Sequence, residues 1–183
     1  MNRLRLIGVL FFGFLFYFQG FSQEKINWIK VSEIEAALAK ESRKVLIDVY
    51  TNWCGPCKLM MNQTFSDSEV ISYINKNFYA VKFNAEGNES FNFKGQNYSN
   101  KTYNPANENR RNGTHEFTMA IAPVNGKVAY PTIVYLDESL KIISPVQGFW
   151  KSHDFIPLIH FIQDEQYLTD TPFEVYSKTY YTK

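Results

Sequence analysis

The chain has 183 residues, enough for one ordinary domain with extras, and its 45% hydrophobic and 20% charged residues are the balance of a folded globular protein. Nineteen Lys and Arg against eighteen Asp and Glu exclude a dominant basic face for nucleic acid and an acidic solvating tail. Two cysteines exclude a disulfide-rich scaffold and a thiolate-only metal site, which needs about four.

Residues 1–22 form an address rather than part of the fold. Arg3 and Arg5 precede an apolar run, Leu6 to Phe18, and Gly20 and Ser22 place small residues before a cut ahead of Gln23. This is the pattern of a signal peptide, and the run is short for a membrane span of about 20 residues. The expectation is export to a periplasmic compartment; the alternative is an uncleaved N-terminal anchor facing it. Residues 23–170 are the expected domain, and 171–183 an aromatic tail.

Ser32 and Glu35 have capping-box spacing, which predicts a helix to about Arg43. Lys44 to Thr51, KVLIDVYT, reads as a buried central strand in which Asp48 is out of place. Helical composition returns from Cys54 to about Asn62. A second short helix is predicted to Asn75, capped by Ser66 or Ser68. Phe78 to Asn84 is the next strand. Residues 84–113 then hold nine Asn and almost no aliphatic side chain, and read as an inserted surface loop with one short helix of its own. Five Asn-x-Ser/Thr triplets occur in the chain, a number such an Asn-rich sequence gives by chance. A helix over 114–122, strands over 132–137 and 141–146, and a last helix opened by Ser152 complete the domain. This order predicts an α/β fold with a central mixed sheet flanked by helices.

The chemistry lies in Trp53-Cys54-Gly55-Pro56-Cys57-Lys58, where a strand hands over to a helix. Cys54 falls at the helix start, where unpaired N–H groups and the helix dipole favour a thiolate. Gly55 permits the tight entry, and Pro56 is tolerated in the first turn. Cys57, one turn on, is placed to attack a mixed disulfide on Cys54. Zinc would need two more ligands, and His115, His153 and His160 have no paired spacing; haem attachment would need His where Lys58 stands. No metal and no cofactor are expected.

VLIDVYTNWCGPCK resembles the active-site segment of the thioredoxin family, and the stretch from Thr64 to Asn84 resembles exported bacterial thiol–disulfide proteins. The resemblance covers about Ile26 to Gln166 except the insertion. It implies a thioredoxin fold and a Cys54–Cys57 disulfide in the oxidised state. It makes Asp48 the buried acid that takes the Cys57 proton, with its pKa raised by burial, and Lys82 its neighbour and possible charge partner. Tyr130-Pro131-Thr132 resembles the family's cis-proline loop, where the Tyr130 backbone would pair with an extended client. Gly148 falls at the family's groove glycine. With Trp53, Gly55 and Pro56 these form the expected substrate surface.

The implied function is reduction of protein disulfides by a Cys54 nucleophile and a Cys57 resolving thiol. The alternatives are a protein-binding module on the same scaffold, or an isomerase or oxidase of less reducing potential. The implied partners are disulfide-bonded clients and a membrane or exported thiol reductase as electron donor. No nucleic acid is expected, and the protein should be a monomer.

Overall fold

The computed structural model describes residues 24–182; the expected signal segment lies outside them. Five strands form one sheet: β1 (Trp28–Ile29), β2 (Lys44–Tyr50), β3 (Phe78–Asn84), β6 (Thr132–Leu136) and β7 (Ile142–Gln147). Their order is β1-β3-β2-β6-β7, with β1 and β2 parallel to β3 and with β6 and β7 antiparallel to their neighbours. β2 is central and nearly all buried, as its unbroken apolar run requires.

The pleat of β2 divides the core in two. Leu46, with Ala80, Ile133 and Tyr135 of neighbouring strands, faces Met60 of α2 (Gly55–Gln63), Val70, Ile71 and Ile74 of α3 (Ser68–Asn77), and Phe155 and Ile159 of α5 (Ser152–Gln163). Val45, Ile47 and Val49 face the other way, toward Ile34 of α1 (Ile34–Leu38) and Phe117 and Ile121 of α4 (Glu116–Ile121). Asp48, in phase with Leu46, therefore points to the face that carries α2.

Several local expectations are corrected. The first helix is one 3-10 turn (Val31–Glu33) followed by the short α1, ending at Leu38. Its N-cap is Lys30, whose N–H donates to Glu33 Oε2 at 2.7 Å, so Ser32 and Glu35 are not the capping pair. Asp67 caps α3, accepting from Glu69 and Val70 N–H, so neither Ser66 nor Ser68 does. The insertion is more ordered than a loop. It folds a hairpin, β4 (Phe91–Phe93) and β5 (Gln96–Tyr98), around Lys94 and Gly95, both at positive φ. It also holds a 3-10 turn at Pro105–Asn107. Phe91, Phe93 and Tyr98 pack edge-on against Phe117, so the hairpin belongs to the second core layer. Within the tail, α6 (Phe173–Tyr180) lies on α5, with Phe173 and Tyr176 against Phe161.

Candidate functional site

The end of β2 turns through Thr51–Trp53 into α2, and Cys54 is the N-cap of that helix. Cys54 Sγ accepts the Cys57 N–H at 3.1 Å. The cysteines are joined, with S–S 2.02 Å, and both are buried. Pro56 occupies the first helical turn, where its absent N–H leaves no gap. Gly55 is not required by space or by positive φ: a Cβ there would meet nothing within 4 Å.

Asp48 is 2% exposed, in parallel register with Lys82 of β3. Burial pushes its carboxyl up to about 7, against the opposing pull of the Lys82 charge. Burial in turn lowers Lys82, partly offset by Asp48. The two interact through their charges but form no direct ion pair. The Lys82 ammonium instead sits over the Tyr50 ring, 5.0 Å from its centre, and 5.8 Å from that of Trp28. Lys82, Tyr50, Thr51 and Cys57 line one cavity of about 280 Å³. That space is large enough for several waters at about 30 Å³ each between Cys57 and the Lys82 ammonium.

On the outer side, Trp53 stacks edge-on with Tyr130, ring centres 6.0 Å apart. The Tyr130–Pro131 peptide is cis. Pro131 carbonyl accepts the Gly148 N–H at 2.8 Å, and Gly148 has φ +102°, a conformation that favours glycine. The strand ends carrying Pro131 and Gly148 are thereby tied together, next to the Tyr130 ring that meets Trp53. Desolvation raises the Tyr130 phenol to about 12.

Sequence reasoning missed the groups that hold Trp53. Its Nε1–H donates to Glu86 Oε2 at 2.7 Å, and the same oxygen accepts the Asn112 N–H at 2.8 Å. The Arg111 guanidinium lies over the indole, 4.7 Å from the ring centre. Asn52 Nδ2 donates to the Glu108 carbonyl at 3.0 Å. The Asn-rich insertion thus reaches the site from its far end. Residues 84–113 were expected only to lie on the surface, and nothing in their composition signals that contact. No group of three or more His, Cys, Asp or Glu among the described residues could hold a metal ion.

A thioredoxin-like domain family matches residues 31–163, which include the cysteine motif, the cis-proline loop and every α-helix but α6. The chain belongs to that family. It is 35% identical over 46 residues to the thiol:disulfide interchange protein DsbD of Pectobacterium atrosepticum, a match covering 25% of this chain and 8% of that much longer protein. Among solved structures it resembles a thioredoxin-fold protein from Helicobacter pylori (TM-score 0.54, 22% identity, 75% of this chain and 80% of that one). It also resembles a thioredoxin from Thermus thermophilus (TM-score 0.52, 15% identity, 75% and 87%). At these identities the structural likeness speaks for the fold. The family supports thiol–disulfide exchange by the Cys54–Cys57 pair.

Proposed function

We propose that this protein reduces disulfides of exported client proteins, with Cys54 as nucleophile and Cys57 as resolving thiol. The observation that carries the reading is the N–H of Cys57 aimed at Cys54 Sγ from the first turn of α2. Once the disulfide opens, that donor and the helix start favour a thiolate on Cys54. The thiolate attacks a client disulfide, forms a mixed disulfide and releases one client thiolate. Cys57, giving up its proton to Asp48, then attacks Cys54 Sγ and releases the second. The client gains two electrons and two protons, and the protein is left with Cys54 joined to Cys57. A membrane or exported thiol reductase returns it to the dithiol.

The client lies extended along the Tyr130 backbone beside Trp53, Gly55, Pro56 and Gly148, and the leader pattern of residues 1–22 supports export. The reducing direction is supported by the Gly-Pro pair between the cysteines, the lack of a cation there, and the neighbouring Asp48 carboxyl, which disfavours a second negative charge.

Three measurements test this. Cys57→Ser should trap covalent client adducts in exporting cells, because the resolving thiol is gone. Equilibration with glutathione should give a potential nearer the roughly −270 mV of thioredoxins than the roughly −120 mV of a strong oxidant. A value above about −180 mV would make the protein an isomerase or oxidase, and a wild type without insulin reduction would leave a binding module.

A further inference from the structure

The insertion delivers a charged group to the lip of the client surface. Its backbone there is tightly held: besides the Asn112–Glu86 bond, Asn112 Oδ1 accepts the Asn104 N–H at 2.8 Å and Asn112 Nδ2 donates to the Asn104 carbonyl at 2.9 Å. Gly113, the next residue, crosses the chain at Thr102 so closely that a Cβ would lie 2.0 Å from Thr102 Oγ1 and 2.6 Å from its backbone. Arg111 is presented from this fixed loop. It is exposed, and its contact among the described residues is the face of Trp53. Glu86 accepts the Trp53 and Asn112 N–H groups on one oxygen, Oε2, and forms no ion pair with Arg111.

A guanidinium whose carbon rests over a ring and that has no ion-pair partner keeps N–H groups for a carboxylate, which its planar fork matches. Trp53, the ring beneath it, immediately precedes Cys54 and touches Tyr130 on another side. A client strand laid along Tyr130 therefore passes within reach of Arg111.

Resting on the reductase reading above, we propose that Arg111 is a specificity-determining residue that binds an Asp or Glu side chain flanking the client's disulfide. The insertion is thus a selectivity element. Asn112, Glu86 and Gly113 hold it in place, and Arg111 does the reading. An exposed but preorganised pair of this kind supports a selectivity of roughly fivefold, screened by salt.

The test uses two short peptides, each with one intramolecular disulfide, identical except for Asp or Lys on both sides of the cysteines. The ratio of their kcat/KM values is measured for wild type, Arg111→Gln and Arg111→Glu. Wild type should favour the Asp peptide about fivefold at low salt. Arg111→Gln should bring the ratio near one, and Arg111→Glu should invert it; about 1 M salt should erase the preference. A ratio that is the same in wild type and Arg111→Glu overturns the proposal. So does a wild-type preference for the Lys peptide. If the wild type reduces neither peptide, the reductase reading fails. Charge selection is then judged from fluorescence anisotropy of the labelled peptides, and equal binding of the Asp peptide by wild type and Arg111→Glu sinks it.

Discussion

The two ends of β2 handle buried charge in opposite ways. Lys44 and Asp48 are four residues apart, on the same face of one strand, and each is 2% exposed. Lys44 Nζ meets Glu138 at 2.9 Å and Glu165 at 3.0 Å, one from the β6–β7 turn and one from just beyond α5. Burial pulls its pKa down, but the two glutamates outweigh burial and the net shift is upward. Asp48 has no such direct partner, and burial wins. A buried charge that is fully met stays ionised at every ordinary pH and serves as structure. A buried charge left partly unmet moves into the neutral range, where a proton can be exchanged for chemistry.

The comparison breaks most visibly at Asp48. Its folded pKa lies above the ordinary value of 3.8, so the native state holds the proton more tightly than the unfolded chain. Stability from this group is full below about pH 4 and is lost as pH rises toward 7. Asp48→Asn should therefore gain stability relative to wild type at pH 8, by up to roughly 4 kcal/mol, and gain little at pH 4. Urea unfolding at the two pH values checks this. The same change should slow client reduction about tenfold or more if Asp48 takes the Cys57 proton as proposed above. A variant that loses stability at pH 8 and keeps its turnover would place Asp48 with Lys44, as a paired structural charge.

At Lys44 the expected effect is smaller and confined to folding. Lys44→Ala should cost about 2 kcal/mol, because the packed stem is lost while the half-exposed glutamates return to water. Lys44→Met, which keeps the stem, should cost less than about 1 kcal/mol. Neither should alter the rate of disulfide reduction. The finest test is the Asp48→Asn, Lys82→Met pair. Charge coupling across one register position predicts non-additivity of about 1 kcal/mol in unfolding, although the two side chains make no direct bond. Strict additivity would leave Lys82 a solvated strand lysine held by Tyr50 and Trp28.

The strength of these signals in the sequence followed their locality. Asp48 stands out because an acid interrupts KVLIDVY, and the cysteine motif carries its own spacing. The strand over 78–84 appeared because its residues alternate or cluster as a half-buried strand does. Lys44 stood unnoticed at the strand's start, since its partners are 94 and 121 residues away. β1 is two residues long and has no periodicity to detect. The β4–β5 hairpin was hidden by asparagine, which has low strand propensity; Lys94-Gly95 was its only turn signal. The grip of Glu86 and Arg111 on Trp53 depends on how the insertion folds back, which no local pattern encodes. Lys30 took the cap predicted for Ser32 because Glu33 could reach its N–H.

The sheet's two borders have a bearing on aggregation. β1 offers another chain only two residues, and β7 carries Pro145 in mid-strand, opposite Val134. A proline has no N–H to donate, so a ladder growing outward from β7 is interrupted there. A protein acting on unfolded, extended clients, as proposed above, would be surrounded by chains ready to add as strands. With one border too short and the other broken, such chains find poor purchase on the sheet, which leaves the ends of β6 and β7 around Pro131 and Gly148 as the docking place proposed above.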